Sequence, residues 1–261
     1  MAKEKLILVI DAGNTNLKVG AFSGSELAGS WRMAAAPDKT ADEVGVFITS
    51  VLMTIGAGKS DIGNCIISTV VPDGLYSVSH GIRKYFDIEP MVVSPMMRMK
   101  LGVNKRANKR ELGADRIANC EAAYTIYGGP VIVIDYGTAT TYDVVDADGE
   151  FITGITAPGI KISAEALFSR TALLSKVELV MPESMIVANT DESVQAGIMA
   201  GRIGETEYII SRLKTELGFA DAKVVATGGL SRAISLGTDV LEVLHPTLTL
   251  EGIRLLYEQN V

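Results

Sequence analysis

Leu6-Ile7-Leu8-Val9-Ile10 is a short, unbroken apolar run rich in β-branched residues, the pattern of a strand covered on both faces. Asp11-Ala12-Gly13-Asn14-Thr15-Asn16 interrupts it as a turn, and Leu17, Val19 and Ala21 then alternate with Lys18 and Gly20 as a second strand. A third strand is expected around Trp31 and Met33. Thr40-Ala41-Asp42-Glu43 has the spacing of a capping box, after which Val44, Phe47, Ile48, Val51 and Leu52 share one helical face. A strand over residues 65–71, a helix after Pro72 and a short strand at 91–93 follow.

The pattern then restarts. Val131-Ile132-Val133-Ile134 leads into Asp135-Tyr136-Gly137-Thr138-Ala139-Thr140-Thr141, then an alternating stretch to Val145 and a turn at Asp146-Ala147-Asp148-Gly149. A third strand over 151–155 and a helix over 160–174 are expected, with one long helix or a broken pair over 191–217. The two Asp-x-Gly turns, at Asp11 and Asp135, each follow an equivalent buried strand, nearly half a chain apart. Three antiparallel strands followed by alternating helices and strands, twice over, predict an α/β protein of two similar domains with a cleft between them. The breaker cluster Gly128-Gly129-Pro130 places the seam, giving domains 1–128 and 129–261.

Composition narrows the class. Apolar residues make up 48% and charged residues 21% of the 261, which excludes a disordered chain. A formal net charge of −7 argues against a general nucleic-acid binder. The apolar runs are far too short to cross a membrane, and the N-terminus lacks a signal peptide's pattern. Cys65 and Cys120 cannot build a disulfide framework, and no Cys/His metal spacing occurs. A cytoplasmic protein is the expectation.

Candidate chemistry lies in the loops. A glycine in a tight strand-to-strand turn lets backbone N–H groups approach a ligand, and Thr15, Thr138, Thr140 and Thr141 add hydroxyl donors suited to phosphate oxygens. Asp11 and Asp135 could hold cations that neutralise a polyphosphate. Hairpin turns alone would explain one such loop, but two in equivalent places favour the functional reading. Thr227-Gly228-Gly229, between a buried strand and a helix, makes a third loop, suited to adenosine. Gly56-Ala57-Gly58-Lys59-Ser60 is not a Walker A loop: the first required glycine falls at Met53, no strand precedes it, and Gly56 reads as a helix stop. Seven basic residues against two acidic ones crowd residues 98–116, leaving −12 on the rest. That run is either a solvated face or an anion-attracting rim. It ends in Gly113-Ala114-Asp115-Arg116, opening a helix to about Tyr127. There Asp115 is either a helix-dipole residue or a proton acceptor beside an arginine that anchors an anion.

The motifs Asp11 to Asn16, Gly113-Ala114-Asp115-Arg116, Asp135 to Thr141, Ala157-Pro158-Gly159, Asn189-Thr190 and Thr227-Gly228-Gly229 together resemble the type III pantothenate kinases, of the acetate and sugar kinase, heat-shock chaperone and actin superfamily. The resemblance spans essentially the whole chain. It implies two ribonuclease-H-like domains with the active site between them, a homodimer, and ATP-dependent phosphorylation of pantothenate, the first step toward coenzyme A. By motif match, Asp11, Ala12, Gly13, Asn14, Thr15, Asn16, Leu17 and Lys18 form the first phosphate loop and Thr138 contacts ATP. Asp115 is the proton acceptor, Gly113, Ala114, Asp115 and Arg116 line the pantothenate pocket, and Thr190 touches pantothenate. Asp135 binds the monovalent cation, potassium or ammonium, and Mg²⁺ accompanies ATP. One departure stands out: the family's Tyr-Asp-Asn-Pro stretch is replaced by Arg106-Ala107-Asn108-Lys109. Arg106 then takes the tyrosine's place toward an anionic substrate. Two further readings remain open: a kinase of the same fold acting on another small hydroxy acid, and a nucleotide-binding regulatory protein.

Overall fold

A computed structural model describes residues 5–35, 39–103, 111–171 and 174–261. Within these residues the chain forms two mixed sheets, one of five strands and one of six. They belong to two compact units. One holds the described residues up to Lys100, the segment ending at Ala122, and Leu248–Val261; the other holds Ala123–Thr247 and the short strand after Lys100.

In the first unit, β1 (Leu6–Ala12), β2 (Asn16–Ser23) and β3 (Glu26–Ala34) form an antiparallel meander. The chain then passes through α1 (Ala41–Met53) to β4 (Ile62–Thr69) and through α2 (Pro72–Phe86) to β5 (Met91–Val92), both parallel to β1. The strand order is β3-β2-β1-β4-β5. β1 is buried on both faces because its two sets of side chains feed two cores. Leu8 and Ile10 meet Val44, Ile48 and Leu52 of α1 and Ile82 of α2. Val9 joins Ile66, Ile117, Leu250 and Ile253 on the opposite face. Each such side chain contributes roughly 1.5–3 kcal/mol by leaving water. α1 starts with the expected capping box: Glu43 N–H donates to Thr40 Oγ1 at 3.2 Å and Thr40 N–H to Glu43 Oε2 at 2.8 Å. Gly56, with φ +68°, follows α1 as the stop signal, so Lys59 lies between a helix and the following strand, the reverse of a Walker A order.

After the two-residue strand β6 (Gly102–Val103) comes α3 (Ala114–Tyr127), whose buried Ile117 and Ala118 anchor its first half in the first unit. The second unit repeats the plan. β7 (Val131–Tyr136), β8 (Ala139–Val145) and β9 (Glu150–Pro158) form the antiparallel meander. Helices α4 (Ile160–Arg170) and α5 (Thr190–Leu217) precede β10 (Lys223–Thr227), which lies parallel to β7. α6 (Ser231–Ser235) leads to β11 (Val243–Leu244). The order β11-β10-β7-β8-β9 reproduces the first sheet strand for strand, and β6 adds an edge beside β9. This is the duplicated α/β arrangement that the repeated pattern predicts, and it agrees with the ribonuclease-H-like domains that the resemblance implies. Its core gathers Ile132, Ile134, Tyr142 and Val224 against Met199, Ile210 and Leu213 of α5.

α4 departs from the sequence reading by ending at Arg170, short of 174, whereas α5 takes the single-helix alternative and runs unbroken for 28 residues. The last helix, α7 (Leu248–Glu258), packs with the first unit, although a division at the Gly128–Pro130 seam would assign it to the second half. Its Leu250, Ile253 and Leu256 join Ile117 and Ala118 of α3 in the apolar cluster that holds Val9 and Ile66.

Candidate active site

In the first unit the β1–β2 turn is held by its own backbone and by the neighbouring parallel strand. Gly13 N–H donates to Asn16 O at 3.0 Å, and Ala12 O accepts from Val70 N–H and from Thr69 Oγ1, both at 3.3 Å. Asp11 ends the buried run, with its side chain only 10% exposed, opposite Lys18 in the ladder. Lys18 Nζ lies 3.3 Å from Asp11 Oδ2, so the lysine charge is fixed at the mouth of the turn. Of the eight residues expected in this loop, Asn14 and Thr15 project into solvent at the tip. Ala12 and Leu17 have their side chains in the core, and only their backbone can face a ligand.

The start of α3 supplies the second feature of this unit. Asp115 sits half-buried in the first turn, where unpaired N–H groups and the helix dipole favour a carboxylate. Its Oδ1 accepts the Arg116 N–H at 2.8 Å, which fixes the side chain. Gly113 leaves the space the carboxylate needs: a Cβ there would fall 2.5 Å from Asp115 Oδ1 and 3.5 Å from Val70 Cγ1. Ala114 packs on the core beneath, so the motif is both an anchor and a carboxylate mount. Arg106 lies outside the described residues.

In the second unit, Asp135 and buried Tyr136 end β7, and Gly137 and Thr138 form an exposed turn. Two glycines from other loops close on it. Gly228, at φ +92°, is so near that a Cβ would fall 2.6 Å from Asp135 Oδ1 and from the Tyr136 backbone. A Cβ on Gly159 would fall 2.0 Å from Thr138 O and 2.7 Å from Gly137 O. The glycines of the Thr227-Gly228 and Ala157-Pro158-Gly159 motifs are therefore needed for contact with the Asp135 turn. Thr227 pairs with Asp135 in parallel register, which brings the third loop to the same sheet end. Gly228 thus brings its main chain directly against the Asp135 carboxylate, where no side chain fits. The carboxylate's oxygen donor suits a hard cation.

The threonines divide. Thr138 is exposed, whereas Thr140 is fully buried and its hydroxyl has no partner among the described residues, so it cannot donate to a phosphate as the sequence suggested. Thr190 is the exposed first residue of α5. Its neighbour Asn189 is the N-cap, accepting from Glu192 N–H at 2.9 Å, which gives that half of the motif a structural reason.

Sequence reasoning missed a buried polar chain on α5. Arg202 bonds Glu205 and donates from Nη2 to Pro158 O at 2.6 Å. Tyr142 Oη lies 3.2 Å from Glu205 Oε1 and 3.0 Å from Thr206 Oγ1, which is also 3.0 Å from Tyr136 Oη. Burial pushes both phenols above the usual tyrosine range, so they stay neutral hydroxyls. The signal was available: Arg202 and Thr206 fall three and seven residues after Met199 and eight and four before Ile210, on a face that is otherwise apolar.

Residues 7–212 match the sequence profile of the type III pantothenate kinases. A type III pantothenate kinase from Agathobacter rectalis is 45% identical over 255 residues, 98% of each chain. Two solved structures share the fold at low identity. The activator of the 2-hydroxyisocaproyl-CoA dehydratase from Clostridium difficile has a TM-score of 0.57 and 14% identity, over 97% of this chain and 93% of that one. Component A of the (R)-2-hydroxyglutaryl-CoA dehydratase from Acidaminococcus fermentans has a TM-score of 0.56 and 16% identity, over 97% of both chains.

Proposed function

The chain belongs to the type III pantothenate kinase family, and from that premise we propose that it transfers the γ-phosphoryl group of ATP to pantothenate, giving 4′-phosphopantothenate. The observation that carries the reading is the mounting of Asp115, aimed by the Arg116 N–H and given room by Gly113, within a family match over most of the chain. Phosphoryl transfer asks mainly for positioning and charge neutralisation, so one modest base is enough. The primary hydroxyl of pantothenate attacks the γ-phosphorus, the bond to the β-phosphate oxygen breaks, ADP leaves, and Asp115 takes the hydroxyl proton.

Around that step, the turn from Asp11 to Lys18 binds phosphate through its backbone N–H groups and Lys18. Thr138 contacts ATP. Gly113, Ala114 and Arg116 line the pantothenate pocket with Thr190, and Arg116 pairs with the substrate carboxylate. Asp135 would hold the potassium or ammonium ion, and this ion would supply fixed positive charge near the phosphates. Mg²⁺ would arrive with ATP. Arg106, in the place of the family tyrosine, adds a second cation toward the acidic substrate. A homodimer working in the cytoplasm is part of the same reading.

The test is product identity. Purified protein, Mg-ATP, potassium and pantothenate are expected to yield a species one phosphate heavier than pantothenate by mass spectrometry. Consumption of ATP only with some other hydroxy acid would replace pantothenate as the substrate.

A further inference from the structure

We propose that Arg202, with Glu205 and Thr206, is a positioning residue that braces the Gly137–Thr138 turn from inside the second unit. The inference rests on the reading of Thr138 as an ATP contact. The turn is exposed and its own hairpin is tight, yet both of its approaches run to the same five-residue stretch of α5, 202–206. On one side, Tyr136 immediately precedes Gly137, and its hydroxyl meets Thr206 Oγ1 at 3.0 Å. On the other, Arg202 Nη2 holds Pro158 O at 2.6 Å, and the next residue, Gly159, lies directly against the carbonyls of Gly137 and Thr138. Glu205 and Tyr142 join the two arms, since Glu205 pairs with Arg202 and Tyr142 Oη lies near both Glu205 and Thr206. The chain of contacts is closed: helix, β7 end, turn, β9 end, helix.

Burial is what gives the chain its stiffness. Arg202 is 7% exposed and Thr206 fully buried, so neither can exchange its partner for water without opening the core. A guanidinium in such a place would be costly unless it served two acceptors at once, and here it does, one a carboxylate and one a main-chain carbonyl. An apolar pair at 202 and 206 would pack this face of α5 equally well. What the polar residues add is a fixed length from the helix to Pro158 O and to Tyr136 Oη. Displacing a binding turn by about 1 Å is enough to cost on the order of 100-fold in a positioned reaction.

The experiment uses full-length enzyme with two variants, Arg202→Met and Thr206→Val. The second is near-isosteric and removes only the hydroxyl link, so it stays folded even if loss of the arginine weakens the core. Two readouts are taken: KM for ATP and for pantothenate against kcat, and amide hydrogen exchange over residues 136–139. The expected result is a KM for ATP raised about 5- to 10-fold in each variant, pantothenate KM within 2-fold of wild type, and faster exchange at Gly137, Thr138 and Ala139. A purely structural role would lower the active fraction, reducing kcat with both KM values and the local exchange unchanged, and would overturn the proposal. A Thr138→Ala enzyme with unaltered KM for ATP, alongside faster turn exchange in Arg202→Met, would remove Thr138 from ATP binding while leaving the brace established.

Discussion

Replacing Gly113 with alanine tests whether the placement of the Asp115 carboxylate, and not merely its presence, matters. The new Cβ would lie 2.5 Å from Asp115 Oδ1, roughly 1 Å inside normal contact, and the next atom, Val70 Cγ1, is at an unstrained 3.5 Å. Gly113 does not lie in the left-handed region, so the backbone accepts alanine without strain. The cheapest relief is therefore rotation of the Asp115 side chain, which gives up its 2.8 Å bond from Arg116 N–H. An off-rotamer side chain costs about 0.5–1.5 kcal/mol and the lost bond about 1 kcal/mol. Alanine returns about 0.4–1 kcal/mol by restricting the unfolded chain. The net loss of stability is then under ~2 kcal/mol, and the enzyme stays folded. Catalysis suffers more, because a ~1 Å error in a positioned base costs on the order of 100-fold, or ~2.7 kcal/mol. ADP release coupled to a spectrophotometric assay gives kcat, and thermal unfolding by circular dichroism gives the stability of the same preparation. A folded Gly113→Ala enzyme with wild-type kcat would refute the role assigned to this geometry.

Further expectations concern other parts of the molecule. Gly159→Ala drives a Cβ into the backbone carbonyls of Thr138 and Gly137, which have no rotamer to yield, so KM for ATP should rise more than about 10-fold while pantothenate KM stays within 2-fold. Steady-state kinetics with each substrate varied would expose the opposite pattern. Asp135→Asn should raise the potassium concentration needed for half-maximal rate about 10-fold or more, titrated with KCl at constant ionic strength. An unchanged potassium curve would remove Asp135 from the cation site. The capping box gives a pH-dependent expectation. Hydrogen bonds from the Thr40 N–H and then the Thr40 hydroxyl hold the Glu43 carboxyl below the usual glutamate range. Its contribution to stability is complete above the unfolded value of about 4.3 and is lost as pH falls through the lowered folded value. The gap in urea midpoint between wild type and Glu43→Ala should shrink from pH 7 to pH 3, and a widening gap would contradict the sign.

Much of the fold was legible because it is written in local patterns. The runs at Leu6–Ile10 and Val131–Ile134, each ending in Asp-x-Gly, announced β1 and β7 and the hairpins that follow them. Thr40 and Glu43 marked the start of α1, and Gly113-Ala114-Asp115-Arg116 the start of α3. Long-range choices were not legible. α7 has an ordinary amphipathic pattern, and nothing in it says that Leu250 and Ile253 belong over Val9. β6 is two residues long, too short for any period, and exists because the edge of β9 offers it a partner. In the candidate site, the aspartates could be read from residue type and spacing. The work of Gly159 and Gly228 could not, since it lies in contacts with a turn far away in sequence. Arg202 and Thr206 were hidden in a helix read for its apolar positions, where two polar residues on the buried face were the overlooked sign.

The most direct measurement is ADP release with and without pantothenate, in Mg-ATP and potassium, for wild type beside Asp115→Asn, with ATP binding to both proteins measured by calorimetry. Pantothenate-dependent turnover in the wild type, lost by more than about 100-fold in Asp115→Asn at equal ATP affinity, is the predicted result. Pantothenate-dependent turnover that survives the substitution, or none in a wild type that binds ATP, would contradict it.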